Sequence, residues 1–253
     1  MKTIREIKQE LQNADVSSRE SLLEQYRTDT RSGVAALVRK YEREAEKLEQ
    51  EKQRIETLKV YEKKYEDLGF VCGIDEAGRG PLAGNVYAAA VVLPPDTLIE
   101  GLNDSKKLSE KKREKLFDVI TDVAVSYSVG IATVEEIDEL NILQATFLAM
   151  RRAVENLSVS PDFALIDGNQ KPHLSVEERT VVKGDACCES IAAASIIAKV
   201  SRDRYMKKIA EQYPQYMFEK HKGYGTKLHY EMIEKYGVSP VHRKTFLKKI
   251  LNK

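Results

Sequence analysis

The chain has 253 residues, 32% of them charged and 42% hydrophobic, with no Trp and a formal net charge of +1. This length is enough for a sizeable core and allows a domain with an appendage, and the composition is that of a soluble, strongly solvated protein. Cys72, Cys187 and Cys188 form no CxxC pair and no even-numbered framework, so neither a zinc site nor a disulfide scaffold is indicated. The first residues carry no apolar leader and no apolar run is long enough to span a bilayer, which makes the cytoplasm the expected compartment.

Residues 1 to 68 lack proline, contain only Gly33 as glycine and are rich in Glu, Lys, Gln and Arg, a helical composition. Ile4, Ile7 and Leu11 mark a first amphipathic helix, Ser17 and Glu20 fit a capping box before a second, and Tyr41, Leu48, Ile55, Leu58, Tyr65 and Leu68 mark a longer third. The expected division is an all-α segment over 1–68 and a second domain over 69–253. From Phe70 the period changes. Phe70 to Ile74 and Val86 to Leu93 read as strands, and Ser109 caps a helix reaching about Ala124. Val125 to Ile131 alternates as a strand, Val134 to Leu157 reads as one or two helices, and Phe163 to Ile166 is a short strand ending at Asp167-Gly168. Thr180 to Val182 is a further strand candidate. Asp185 is expected to open a long helix with Ile191, Ala194, Ala198 and Val200 facing inward. Interleaved strands and helices of this kind make an α/β fold. Between Lys199 and Lys253 there are 14 Lys and Arg against 5 Asp and Glu, a basic helical region that attracts a polyanion or presents a solvated helix face.

Asp75-Glu76-Ala77-Gly78-Arg79-Gly80 ends an apolar run with adjacent carboxylates and a glycine-bracketed arginine. Two acids side by side repel, and two glycines let a ligand approach the backbone, so the stretch suits a divalent metal beside a phosphate. Asp167 follows an apolar strand and Asp185 follows Lys183-Gly184, so separate segments each bring an acid to an element end, as α/β sites are commonly built. A plain turn at Asp167-Gly168 and a helix cap at Asp185 are the alternatives.

The ordered series of motifs resembles the bacterial ribonuclease HII family of the ribonuclease H superfamily. It comprises Asp75 to Gly84, Asn103 to Leu108, Asp167-Gly168, Val182 to Asp185, Ala193 to Val200 and His221 to Thr226, and spans about residues 70 to 246. The resemblance implies an RNase H-like mixed sheet flanked by helices. It also implies an Mn²⁺- or Mg²⁺-dependent endonuclease that cuts the RNA strand of RNA–DNA hybrids and cuts 5′ to ribonucleotides embedded in duplex DNA, leaving 3′-hydroxyl and 5′-phosphate ends. The family's four acidic positions fall on Asp75, Glu76, Asp167 and Asp185, which would hold two metals. By the same resemblance the backbone of Gly78, Arg79 and Gly80 would contact the ribose 2′-hydroxyl, and Tyr224 would pack on the neighbouring deoxyribose. Lys183, Lys199, Arg202, Lys222 and Lys227 would neutralise phosphates. Ser105 and Lys106 support the site or belong to an ordinary polar loop. His221, His229 and His242 fit no zinc spacing and are expected at the surface or behind the site.

The chain is expected to be monomeric. Its helical segment either adds hold on the duplex or serves self-association, and a sliding clamp docking on the Lys-rich tail is a question the residues leave open. Rival readings are a hybrid-binding protein without turnover, against which the intact acid set counts, and a two-metal nuclease for DNA junctions, against which the Gly78-Arg79-Gly80 and Tyr224 pair counts.

Overall fold

The computed structural model describes residues 1–95 and 97–248. The chain divides into two compact units, Met1–Arg54 and Ile55–Lys253.

The first unit is helical: α1 (Ile4–Asn13), α2 (Val16–Tyr26) and most of α3 (Ser32–Leu58). Thr3 begins α1 with a capping box, its hydroxyl accepting from the Glu6 amide while the Glu6 carboxylate accepts from the Thr3 amide. Ile7 and Leu11, four residues apart, bury one face of α1 against Leu23, Tyr26, Val34, Val38 and Tyr41. The cap of α2 is Asp15, which accepts from the Ser18 amide at 2.8 Å. The expected cap, Ser17, instead donates its hydroxyl to Asp15. A carboxylate one residue before the helix wins because it takes both groups at once.

In the second unit α3 ends at Leu58 and a separate turn, α4 (Val60–Tyr65), follows. The compact division by contacts falls after Arg54, a different criterion from the change of composition expected near Leu68. Ile55 and Leu58 are buried in the core of the second unit, and Glu62 on α4 accepts from the Ser190 amide, hydroxyl and the Cys188 thiol.

Five strands, β1 (Val71–Ala77), β2 (Val86–Val92), β3 (Ser126–Ala132), β4 (Phe163–Asp167) and β5 (Glu177–Val181), form one mixed sheet in the order β3-β2-β1-β4-β5. β1 runs antiparallel to β2 and parallel to β4. Helices α5 (Glu110–Val123), α6 (Val134–Leu140), α7 (Ile142–Glu155), α8 (Glu189–Gln212), α9 (Phe218–His221) and α10 (Lys227–Tyr236) complete the unit. α5 and α8 share one buried layer with Ala89 and Val91, while α7 covers the opposite face over Cys72, Ile74, Ala88 and Ala90. Small residues make the α8 contact close: a β-carbon on Gly73 would lie 2.2 Å from the Ser190 backbone. Asn141, at φ 74, separates α6 from α7 and caps the second with its side chain.

Two elements depart from the sequence pattern. β5 begins at Glu177 because its polar, half-exposed residues lie on a sheet edge, where charge rather than apolar alternation is tolerated. Asp185 lies in a 3₁₀ turn, Gly184–Ala186, and the long helix opens only at Glu189.

Candidate active site

Strand alternation sorts the acids. On β1, Cys72 and Ile74 face α7, so Asp75 faces α8 and Glu76 points with Ile74. On β4, Ala164 and Ile166 face α7, which puts Asp167 on the α8 side as well. The parallel register pairs Ile74 with Ile166, so Asp75 and Asp167 follow at neighbouring positions on adjacent strands, about 5 Å apart in backbone spacing. Asp185 is tied to this pair through the turn: the Gly184 amide donates to Asp167 Oδ1 at 2.7 Å.

These carboxylates burden one another. Burial, then Glu76 and Asp167, pushes the Asp75 carboxyl well above the usual range. Burial and then Asp167 raise Asp185, and burial raises Glu76 against the pull of Arg79. Lys106 Nζ lies 3.3 Å from Asp185 and Arg79 Nη1 lies 3.4 Å from Glu76, both cations being largely solvated. Ser195 on α8 favours the charged form of Asp75 against the stronger effects of burial and the neighbouring acids, and its hydroxyl stands 2.8 Å from that of Ser105.

Among the described residues no three His, Cys, Asp or Glu side chains are closed into a ready ligand shell. The donor set nonetheless fits a hard divalent cation, because it is all carboxylate oxygen and short of positive charge, and Mg²⁺-like ions keep several waters.

Beyond β1 the chain enters a loop held from inside by two buried arginines. Arg243, fully buried, donates to the carbonyls of Gly78, Arg79, Pro81 and Gly84 at 2.6 to 3.0 Å. Burial and the nearby Arg202 lower its pKa to about 9, and the four carbonyls favour the charged form. Arg202, expected to neutralise phosphate, is also fully buried and donates to the carbonyls of Ala83, Asn85 and Lys222. Its charge is spent on stitching the 78–85 loop to the 222 loop. Gly78, at φ 96, rests on Arg202, where a β-carbon would lie 2.1 Å from Nε, while Gly80 faces open space.

Tyr224 is 40% exposed, its ring centroid 5.6 Å from Lys199 Nζ and 5.7 Å from the Arg202 guanidinium. Lys199 is paired with Asp203 at 2.8 Å, and the Lys222 ammonium donates to the Glu219 carbonyl. Lys183, left-handed at φ 58, and Lys227 are exposed. His221, His229 and His242 are buried rather than superficial, with 8%, 0% and 1% exposure. The sequence reading missed Ser195 and Arg243. Ser195 had a signal, a polar side chain amid Ala and Ile on a buried helix face; Arg243 had none, since one arginine in a basic stretch reads as surface charge.

The ribonuclease HII profile matches residues 72–249, and the ribonuclease HII N-terminal domain profile matches residues 3–66. The chain belongs to the ribonuclease HII family. It is 49% identical over 252 residues to the ribonuclease HII of Clostridioides difficile (strain 630), covering 99% of each chain. With the ribonuclease HII of Acetivibrio thermocellus it shares 47% over 251 residues, 98% of each. Among solved structures, the ribonuclease H2 of Pyrococcus horikoshii OT3 superposes with a TM-score of 0.58 at 32% identity, covering 69% of this chain and 92% of that one. The Bst-RNase HIII complex with Mn²⁺ shares the fold at 18% identity and a TM-score of 0.53, covering 66% and 63%. As a ribonuclease HII, the protein is an endoribonuclease acting on the RNA strand of RNA–DNA hybrids, in a family that uses divalent metals. No helix of the described residues is long and apolar enough to cross a membrane.

Proposed function

We propose that this ribonuclease HII cuts on the 5′ side of ribonucleotides, both in long hybrids and where a single one is embedded in duplex DNA, leaving 3′-hydroxyl and 5′-phosphate ends. The observation that carries the reading is the placement of Asp75 beside Asp167 on adjacent parallel strands, with the glycine-bracketed Arg79 loop continuing from the same strand. Asp75, Glu76, Asp167 and Asp185 would hold Mn²⁺ or Mg²⁺, which when bound supplies activation of water and charge stabilisation at the scissile phosphate. The Mn²⁺ complex of the Bst-RNase HIII fold relative supports testing manganese first.

The chain's own groups divide the remaining work. Ser195, hydrogen-bonded with Ser105, favours the charged form of the Asp75 carboxylate. Lys106 and Arg79 sit at the solvated rim, where they meet the backbone phosphates flanking the cut. Gly78, Arg79 and Gly80 offer backbone to the ribose 2′-hydroxyl, with the open side of Gly80 leaving room for the sugar. Tyr224 packs its exposed ring on the deoxyribose that follows. The first helical unit adds hold on the duplex, and the protein acts as a cytoplasmic monomer. The question of a sliding-clamp contact concerns the C-terminal tail, whose residues 249–253 lie outside those described; the solved PCNA:RNase HII complex belongs to the Archaeoglobus fulgidus protein.

The test is the position and chemistry of the cut. Duplex DNA with one ribonucleotide, labelled at the 5′ end of that strand, should yield one fragment ending immediately before the ribonucleotide, extendable by a polymerase. A fragment that ends after the ribonucleotide, or one that resists extension, would sink the reading.

A further inference from the structure

Behind Tyr224 lie three imidazoles, His221, His229 and His242, packed among Tyr216 and Phe218. The His221 and His229 rings stack at 4.3 Å between centroids, and His229 and His242 are 5.2 Å apart. Every ring nitrogen has a partner, and the partners dictate where each proton sits. His221 Nε2 faces the Tyr216 carbonyl at 2.9 Å, so it must donate, and its Nδ1 accepts from the Gly223 amide at 3.2 Å. His229 Nδ1 faces the Tyr224 carbonyl at 3.0 Å and must donate, which leaves its Nε2 a bare acceptor. His242 Nδ1 accepts from the Ser239 amide at 2.9 Å and meets the Ser239 hydroxyl at 2.7 Å. His242 Nε2 therefore carries the proton and donates it to His229 Nε2 at 3.1 Å.

Only one assignment satisfies all six nitrogens, and in it all three rings are neutral. Protonating any ring sets donor against donor: His221 against the Gly223 amide, His229 against His242, or His242 against the Ser239 amide. The cluster acts on two backbone groups on either side of Tyr224, the amide of the preceding residue, Gly223, and the carbonyl of Tyr224 itself.

We propose that His221, His229 and His242 are positioning residues, a neutral relay of fixed tautomers that clamps the Gly223-Tyr224 backbone and so sets the Tyr224 ring for the ribose-to-deoxyribose junction. The inference rests on the junction reading of Tyr224. Arg202 completes the clamp from the other side by holding the Lys222 carbonyl. Glu219 and Lys222 are the charged groups acting on His221, and His229 and His242 are acted on by the other histidines of the cluster.

Two measurements on the full chain test it. Long-range ¹⁵N–¹H spectra of ¹⁵N-histidine protein at neutral pH should show His221 and His242 protonated at Nε2 and His229 at Nδ1, with exposed His173 as the solvent reference. Another tautomer or an imidazolium at any of the three overturns the clamp. On duplex DNA with one ribonucleotide, His229→Leu should lower kcat/KM on the order of tenfold to a hundredfold by misplacing Tyr224. His229→Asn, which keeps a donor near Nδ1, should recover much of the loss, and His229→Leu should add nothing further in a Tyr224→Ala background. Full additivity with Tyr224→Ala, or no recovery by Asn in a folded protein, overturns the positioning role. If Tyr224→Ala itself leaves cleavage unchanged, the positioning role falls with the junction reading. The tautomers then say whether the clamp exists independently.

Discussion

Several side chains in the second unit hold charge or polarity where burial disfavours it, and each leaves a signature in pH. Burial lowers His229 and His242 to about 4 from the usual 6.5. Between those values the unfolded chain binds more protons, so stability is whole above about 6.5 and is lost as pH falls towards 4. Each ring accounts for up to roughly 3 kcal/mol, and the two do not add because they share a hydrogen bond. Glu189 runs the other way. It is 3% exposed, its Oε1 has no hydrogen-bond partner among the described residues, and burial raises it from 4.5 to about 7 despite Lys59. Here the folded chain binds more protons, so stability falls as pH rises from 4.5 to about 7. Glu189→Gln should therefore stabilise the protein at pH 8 by up to roughly 3 kcal/mol and leave it unchanged near pH 4. Denaturant midpoints at the two pH values check this, and an equal gain at both would contradict it. Arg243→Lys should keep the fold yet lower kcat/KM about tenfold, since one ammonium cannot reach four loop carbonyls; cleavage kinetics beside circular dichroism measure it. Asp75 and Asp167 stand out in the sequence because each ends an apolar run, whereas Asp185, after Lys183-Gly184, is singled out mainly by the series of motifs. Arg202, Arg243 and the histidines were not legible, because a side chain buried on backbone carbonyls and one that meets phosphate carry the same letter.

At the scale of elements, the strands and most helices follow from period and caps, whereas the edge between the two units does not. α3 keeps its helical pattern across Arg54, so no change of composition marks where one core ends and the other begins. What decides the matter is tertiary: Ile55 and Leu58 are buried with the sheet, and Glu62 binds the first turn of α8. A chain beginning at Ile55 should fold, while one beginning at Gly69 should be much less stable. The second loses two apolar side chains worth about 1.5–3 kcal/mol each when buried, and the Glu62 hydrogen bonds as well. Thermal melts of the two truncations give the comparison, and equal melting temperatures would refute the assignment of residues 55–68. The same pair refines the accessory role of the helices, because only the truncation to Ile55 removes the first unit without damaging the second. Loss of duplex affinity in the chain from Ile55 supports the grip; unchanged affinity with altered sedimentation supports self-association.

For the whole molecule, the basic C-terminal region is less free than its composition suggests. Arg202 and Arg243 are internal, Lys199 is held by Asp203, and Arg204 and Lys207 pair with Glu114 and Glu110 across to α5. Of the five cations first expected on phosphate, Lys183 and Lys227 remain exposed and Lys222 half so. Binding to duplex should weaken with salt with a slope that falls by about 0.9 for each of Lys183→Gln and Lys227→Gln. Titrations at several salt concentrations read that slope, and an unchanged slope would remove these lysines from the contact. The central claim, that the buried carboxylates hydrolyse the strand next to a ribose, is tested most directly in one cleavage reaction. End-labelled duplex carrying a single ribonucleotide is incubated with Mn²⁺ or Mg²⁺, alongside an all-DNA duplex and the Asp75→Asn protein. The account predicts a metal-dependent cut 5′ to the ribonucleotide by the native protein alone. Binding without any cut in either metal, or cleavage by Asp75→Asn at the native rate, would contradict it.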